Sequence, residues 1–492
     1  MQLLDSLNPK DRTMINRVLA AVAFCGLLFA HGQTFAETPN VIVILADDLG
    51  YGDLGCYGAT QTKTPNLDRL ARDGMRFTDA HSPSAVCTPT RYGLLTGRYA
   101  WRTRLKQGVL LGDSPALIEA GRLTLAGLLK RKGYATAAIG KWHLGLGSEA
   151  KTDFAKPLRP GPLTVGFDSF FGIPASLDMV PYVYVENGRV LALPTAQSEK
   201  SPKPNYFDGV FWREGPAAPG FRHREVLPEL TKRAEQFVRA QSADRPFFLY
   251  FALTSPHTPW VPTEDFQGRS PLGEYGDFLT QTDAAVERVL KALDEMQLAD
   301  RTLVVFTSDN GAIPLPPQFA STGHRTNGSW RGQKSDIWEA GHRVPYLVRW
   351  PGHTPAGSIC SETICHADLL ATLAAIVGER LPEDAGEDSF NILPLFLGKS
   401  TDVPIREATV HHSGDGAFAI RQGKWKAIQH LGSGGFSQPK REARVAGGPT
   451  GQLYDLEEDP RETHNVWNEN PRVVEQLSEL LEKYKLEGRS RP

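Results

Sequence analysis

Four oxygen-bearing side chains follow two apolar stretches of the chain. Asp47 and Asp48 come shortly after the apolar run Val41–Leu45, and Asp309 and Asn310 follow a second run of the same kind. Adjacent carboxylates repel one another unless a cation lies between them. Carboxylate and amide oxygens are hard ligands that suit Ca²⁺ or Mg²⁺ better than Zn²⁺. One Asp-Asp pair is as typical of a loop or helix cap, so the second pair is what favours a metal site.

Cys87 opens the stretch Cys87-Thr88-Pro89-Thr90-Arg91, which leads into a helix-like segment ending at Gly97. Proline is tolerated in the first turn of a helix, so this spacing predicts Cys87 at a helix N-terminus. Free N–H groups and the helix dipole favour an anion there, either a thiolate or a bound oxyanion. A lone cysteine is more often an inert buried residue, and only the flanking pattern favours a functional role.

Two lysines and two histidines could bind an anionic oxygen and transfer a proton. Lys141 and His143 alternate just past an apolar stretch, so an extended backbone would project both side chains to the same side. His257 lies in the turn-rich segment Ser255-Pro256-His257-Thr258, and Lys334 follows Arg331-Gly332-Gln333. A lysine supplies a point charge and an imidazole exchanges a proton near neutral pH. Each residue alone fits a surface lysine or a structural histidine, and only their joint occurrence favours a site.

Short apolar runs alternate with amphipathic segments over the first three quarters of the chain, which predicts an α/β fold. The predicted strands, covered on both faces, are Val41–Leu45, Phe247–Leu253 and Leu303–Phe306. The predicted helices are Pro65–Asp73, Leu123–Lys132 and Tyr275–Met296. Ligands of open α/β sheets bind beyond the carboxyl ends of the strands. The polar residues that follow the strands are therefore expected to meet in one crevice.

The pattern changes beyond about residue 390. Phe418–Ile420 and Trp425–Ile428 are short segments separated by glycine-rich loops, which predicts a small antiparallel sheet. A terminal helix follows, with Asn470 as its cap, Pro471 in its first turn and Gly488 after its end. Its apolar stripe is expected to pack in the core. We therefore predict a catalytic domain over 37–390 and a C-terminal subdomain over 391–492.

The first 36 residues have the layout of a cleaved secretory signal: cationic residues, the apolar run Val18–Ala30, and small or polar residues through Ala36. The run is too short for a spanning helix, and a membrane anchor is the alternative. We expect an exported protein, periplasmic or secreted.

A net charge of −2 gives no bulk reason to bind nucleic acid or an anionic membrane. Cys360 and Cys365 could pair or be two buried thiols.

Taken together, these stretches resemble the type I sulfatase family. Cys87 to Arg91 is similar to its C-x-P-x-R signature, extended through Thr96-Gly97-Arg98, and Gly140 to Gly145 resembles its second signature. The resemblance runs from about Pro39 to Asp459-Pro460, and Gln333 stands where glycine is common. It implies a large α/β domain of the alkaline-phosphatase type, with a mixed central sheet flanked by helices, and a small C-terminal α+β domain with an antiparallel sheet and a terminal helix.

The resemblance also implies an activity and a role for each candidate residue. The activity is sulfate ester hydrolysis by a formylglycine that a formylglycine-generating enzyme makes from Cys87. One Ca²⁺ ion would be bound by the residue at position 87 together with Asp47, Asp48, Asp309 and Asn310. Arg91 would hold the formylglycine oxygens, Lys141 and Lys334 the sulfate oxygens, while His257 would protonate the leaving alcohol and His143 would assist at the formylglycine hydroxyl.

Two other functions compete with this one. A phosphoesterase of the same superfamily would carry Thr or Ser at position 87 and usually two metal ions, and a catalytically inactive relative would only bind sulfated glycans. The whole chain resembles the arylsulfatase and N-acetylgalactosamine-6-sulfatase branch, which implies a 6-sulfated galactose or N-acetylgalactosamine unit as substrate. The resemblance also implies that two segments, Phe171–Asp178 and Gly323–Asn327, line the pocket, although His324 and Arg325 could equally be surface residues.

Overall fold

A mixed sheet of ten strands forms the framework of the computed structural model, which describes residues 38–492. From edge to edge its strands are β13 (Ser358–Cys360), β2 (Met75–Phe77), β12 (Tyr346–Arg349), β11 (Thr302–Ser308), β1 (Asn40–Asp47), β10 (Phe247–Pro256), β4 (Ala135–Lys141), β5 (Ser169–Ile173), β6 (Val185–Glu186) and β7 (Arg189–Val190). Two small pairs are β3 (Ala80–His81) with β14 (Ile364–Cys365), and β8 (Ala196–Gln197) with β9 (Pro216–Ala217). The predicted signal segment lies outside the described residues.

The four central strands β11, β1, β10 and β4 run parallel. Every residue of β1 is buried, as its continuous apolar run predicted. In the register of the sheet, Ala46 lies beside Ser308 and Asp47 beside Pro256. The carboxyl ends of the strands therefore meet at one edge, as predicted.

Helices flank the two larger sheets of the protein. Those in the described residues are α1 (Pro65–Arg72), α2 (Cys87–Thr96), α3 (Leu125–Arg131), α4 (His223–Arg239), α5 (Gly273–Glu295), α6 (Glu339–His342), α7 (Leu369–Ile376), α8 (Leu393–Phe396) and α9 (Pro471–Leu486). Apolar residues of α1, α4 and α5 share one buried core with Ile42 and Ile44 of β1. Helix α3 begins two residues later than predicted because the Thr124 hydroxyl caps it, accepting a hydrogen bond from the Gly127 N–H at 3.0 Å.

A small antiparallel sheet follows the large one, as predicted. Its strands are β15 (Thr409–His412), β16 (Phe418–Gln422), β17 (Trp425–Ile428) and β18 (Gln452–Asp455), in that order. Leu477, Leu481 and Tyr484 of α9 are buried against it, which confirms the predicted core stripe. Asn470 occupies the N-cap position, as predicted, but its side chain donates to the Val466 carbonyl and accepts no bond from the helix.

Two further findings concern the cysteines and the membrane. Cys360 and Cys365 are both free thiols, so they do not pair, but only Cys365 is buried and Cys360 is partly exposed. Among residues 38–492, no helix combines the length and the apolar character needed to span a bilayer.

Candidate active site

The ends of β1 and β11 bring the four predicted metal ligands together. Asp47, Asp48, Asp309 and Asn310 are all buried. The Nδ2 of Asn310 donates to Oδ1 of Asp48 at 2.7 Å, and the backbone N–H of Asp48 donates to Oδ1 of Asp309 at 3.2 Å. Asp48 has a φ of 60°, a conformation that few residues other than glycine adopt. This backbone turn holds its carboxylate against the neighbouring strand end.

Each of the three carboxylates is paired with a buried cation. The closest contacts are 2.7 Å for Arg91 with Asp309, 2.8 Å for Lys141 with Asp47, and 2.8 Å for Lys334 with Asp48. Burial acts to raise the pKa of Asp48, but the charges of Lys334, His257 and Lys141 together outweigh it and hold that pKa below its usual value. The formal charges of these six side chains cancel, which is what allows them to be buried together.

One ligand atom in this cluster has no partner. The Oδ1 of Asn310 is buried and accepts no hydrogen bond, although a buried polar atom left unpaired normally costs about 1 to 3 kcal/mol. One ligand atom each of Asp47, Cys87 and Asp309 lie within 4.8 Å of one another. The oxygen donors and the orphaned amide oxygen fit a hard divalent cation.

Cys87 is the first residue of α2, as predicted, and Arg91 lies one turn further along the same helix. Burial raises the pKa of the Cys87 thiol, and the nearby Lys141 only partly opposes this. The unmodified side chain is therefore a neutral thiol near pH 7. The guanidinium of Arg91 also donates to the Lys141 carbonyl at 3.1 Å, so it links the helix to the end of β4.

His143 reaches the site by a different backbone route from the one predicted. Its φ is 55°, so the chain leaves the extended conformation and the alternation argument for Lys141 and His143 was wrong. The ring nevertheless lies close enough to Lys141 and Arg91 that burial and then these charges hold its pKa well below the usual value. Its Nε2–H donates to the Leu110 carbonyl at 2.7 Å, which leaves Nδ1 buried without a partner.

His257 and Lys334 meet at a residue that the sequence analysis missed. The Tyr206 hydroxyl lies 3.0 Å from Nζ of Lys334, 3.1 Å from Oδ2 of Asp48 and 3.3 Å from Nε2 of His257. The Nδ1 of His257 donates to the Thr258 carbonyl. Burial, followed by the charge of Lys334, lowers the pKa of His257 to about 4.

A cavity of about 400 Å³ opens above this cluster, with Cys87, His257 and Lys334 among its lining residues. Of the two segments expected to line it, the first contributes only its last residue, Asp178. The second segment, Gly323–Asn327, is not part of its wall, so that expectation was wrong. His324 instead binds the buried carboxylate of Asp53 at 2.8 Å.

A second buried group, outside this cavity, could also offer metal ligands: His81, His342 and His411. The rings of His81 and His342 already form a hydrogen bond between their Nδ1 atoms, 3.0 Å apart. The Nζ of Lys426 lies 3.1 Å from Nε2 of His342, where its charge would repel a metal ion. The cluster at the strand ends is the better metal site.

Comparisons with known proteins agree with the sequence signatures. A family model described as Sulfatase matches residues 39–379, and one described as N-sulphoglucosamine sulphohydrolase, C-terminal, matches residues 330–487. The chain is 38% identical over 493 residues to N-acetylgalactosamine-6-O-sulfatase of Bacteroides thetaiotaomicron, covering 92% of this chain and 94% of that protein. It is 36% identical over 478 residues to arylsulfatase A of Homo sapiens, covering 92% of this chain and 89% of the relative.

A solved structure is similar over the same length. It comes from work on the metabolism of multiple glycosaminoglycans by Bacteroides thetaiotaomicron, with a TM-score of 0.82 and 36% sequence identity, and the match covers 92% of this chain and all of that one.

Proposed function

The chain belongs to the sulfatase family, and on that premise we propose that it hydrolyses the sulfate ester of a saccharide in the cavity that contains Cys87. The observation that carries this proposal is the shared wall of that cavity. Cys87 at the start of a helix, the cation Lys334 and the imidazole of His257 all line it. A nucleophile, an anion-binding group and a proton donor are the three parts that ester hydrolysis requires.

We propose that Asp47, Asp48, Asp309 and Asn310 hold one Ca²⁺ ion, together with the residue at position 87. The orphaned Oδ1 of Asn310 and the all-oxygen donor set support this assignment. Because the charges of the three buried ion pairs cancel, a bound dication would leave the site with an excess of two positive charges. Such an excess would favour binding of an anionic ester.

When Cys87 has been converted to formylglycine, its hydrated aldehyde would supply the nucleophile, and a bound metal ion would polarise the sulfate oxygens. A formylglycine-generating enzyme would carry out that conversion. Arg91 orients the hydrated side chain. The guanidinium of Arg91 is itself held in position because two of its nitrogens donate to the Asp309 carboxylate. Lys141 and Lys334 bind the sulfate oxygens, since both ammonium groups already lie at the end of β1, where they contact Asp47 and Asp48.

The two histidines would act on different protons. Because its Nδ1–H donates to the Thr258 carbonyl, Nε2 is the His257 atom left for the substrate in the cavity. It delivers a proton to the leaving alcohol from the doubly protonated ring, a form that the negative charge of the bound sulfate favours. The Nδ1 of His143 is the free acceptor of the other ring, because Nε2 donates to Leu110. His143 is therefore suited to take a proton from the hydroxyl of residue 87.

The relatives guide the choice of substrate. One relative is an N-acetylgalactosamine-6-O-sulfatase, so we infer a 6-sulfated N-acetylgalactosamine or galactose unit here. The layout of residues 1–36 supports export to the periplasm or beyond. A sulfatase outside the cytoplasm would act on glycans from the surroundings of the cell.

The test combines chemistry at position 87 with sulfate release. Protein made in its own host is treated with an aldehyde-reactive hydrazide, digested and analysed by mass spectrometry, while sulfate release from 6-sulfated N-acetylgalactosamine is measured on the same sample. We expect a hydrazone at position 87, and we expect Cys87→Ala to lose both hydrazone and activity. Cys360→Ala is the matched control, because that thiol is free and lies outside the cavity. An unmodified, alkylatable Cys87 in an inactive protein would instead support glycan binding without hydrolysis.

A further inference from the structure

The cavity extends beyond the groups that the reaction uses. A sulfate bound near Cys87 and Lys334 would point its bridging oxygen at His257, so the rest of the substrate must lie against the other walls. Those walls include Asp178, Phe207, Arg213, Phe436 and Lys440. A volume of about 400 Å³ is at the lower end of ligand cavities and suits one or two sugar units.

Asp178 offers a buried oxygen that lacks a partner. The residue is 1% exposed, and its Oδ2 is bound by the guanidinium of Arg213, which also donates to the Asp178 carbonyl at 3.2 Å. Its Oδ1 is buried and accepts no hydrogen bond. A buried carboxylate oxygen without a donor is rare in a folded protein. A hydroxyl or amide N–H of a ligand in the cavity would supply the missing donor.

Two aromatic rings and one free cation complete this part of the cavity. Phe207 and Phe436 are 43% and 39% exposed, and their ring centroids lie 5.4 Å apart in an edge-on arrangement. Exposed phenylalanines on a cavity wall can pack against the C–H face of a sugar ring. Lys440 is exposed, and within residues 38–492 its ammonium has no ion-pair partner. It is therefore available to an acidic ligand group.

We propose that Asp178, Arg213 and Lys440 form a saccharide-recognition subsite next to the sulfate-binding centre. Asp178 Oδ1 accepts a hydrogen bond from a hydroxyl or amide of the sulfated ring, and Arg213 holds that carboxylate in place. Lys440 binds the acidic group of the next sugar, so the preferred substrate carries a uronic acid beside the sulfated unit. This inference rests on the proposed function, since it assigns the parts of the substrate that are not hydrolysed.

The experiment compares three substrates: an aryl sulfate, 6-sulfated N-acetylgalactosamine, and a disaccharide that joins this sugar to a uronic acid. For Asp178→Asn we expect the ratio of kcat/KM on either saccharide to kcat/KM on the aryl sulfate to fall about 10- to 100-fold. Arg213→Gln should lower the same ratio, and its side chain is 45% exposed, so this variant folds even if Asp178→Asn does not. Lys440→Gln should lower the preference for disaccharide over monosaccharide about 3- to 10-fold at low salt.

Lys291→Gln is the matched control, because that lysine is 67% exposed on α5 and far in sequence from every cavity residue. For this variant the ratios of kcat/KM among the three substrates should equal those of the unmutated protein. Ratios that stay within about twofold for Asp178→Asn and Arg213→Gln, with aryl sulfate still hydrolysed, would overturn the subsite and leave the proposed function intact. Failure of the unmutated protein, carrying an aldehyde at position 87, to cleave any of the three would overturn both.

Discussion

Removing the orphaned amide of Asn310 should abolish stabilisation by calcium. A ligand present at a hundred times its Kd stabilises the folded state by about 2.7 kcal/mol. Unfolding entropy of about 2.1 cal/mol/K per residue, over the roughly 450 residues described, amounts to about 1 kcal/mol/K. Calcium should therefore raise the Tm of the metal-free protein by about 3 °C.

Asn310→Ala has two separable effects. Loss of the 2.7 Å hydrogen bond to the Asp48 carboxylate should cost about 1.5 to 3 kcal/mol, which lowers the Tm of the metal-free protein by about 2 to 3 °C. Loss of the oxygen ligand should remove the response to calcium. The assay is differential scanning calorimetry of chelator-treated, dialysed protein across a calcium titration, with magnesium in parallel.

Asn40→Ala is the matched control for this experiment. Asn40 is equally buried but lies at the opposite end of β1, where it bonds Thr302 and the Phe247 backbone. It should lower the Tm of the metal-free protein and keep the full rise with calcium. A full calcium response in Asn310→Ala would remove Asn310 from the ligand set. No response in the unmutated protein would refute the assignment of a hard-cation site.

Three further predictions concern other parts of the protein. Tyr206→Phe removes a hydroxyl that orients Lys334. We therefore expect kcat on an aryl sulfate to fall about 3- to 10-fold. An unchanged kcat would show that Tyr206 has no role in catalysis. Burial raises the pKa of Glu462 to about 7 from an ordinary 4.5, so the folded state keeps a proton that the unfolded chain releases, and stability should fall as pH rises between these values. The free energy of unfolding, measured with urea at several pH values, should fall less steeply with pH for Glu462→Gln than for the unmutated protein. An equal dependence on pH in the two proteins would contradict this. Leu481→Ala, at a fully buried position of α9, should cost about 2 to 5 kcal/mol in urea unfolding, whereas Leu486→Ala, which is 87% exposed on the same helix, should cost almost nothing.

The parts of the site that lie on strand ends were predictable from the sequence. A continuous apolar run such as Val41–Leu45 indicates a buried parallel strand, and the polar residues after it must lie at the sheet edge. Asp47, Asp48, Asp309 and Asn310 come together for this reason. The helix start at Cys87 was also predictable, because proline two residues later is compatible only with a first turn.

The parts that lie on irregular loops were not predictable. Tyr206 and Phe207 belong to a short 3₁₀ segment, and Phe436 lies in the loop between β17 and β18, where no periodicity relates a residue to the cavity. His324 was misplaced because nothing local revealed its distant partner, the buried Asp53 carboxylate. Side-chain pairing across 271 positions depends on the tertiary fold.

The two walls of the cavity have separate origins in the chain. The carboxylates and His257 lie at the ends of strands of the large sheet, whereas Phe436 and Lys440 come from a loop of the small C-terminal sheet. Mutations in that loop can accumulate over generations without disturbing the strand ends. Evolution can therefore change the substrate specificity of such an enzyme by exchanging one peripheral loop, while the catalytic residues stay the same.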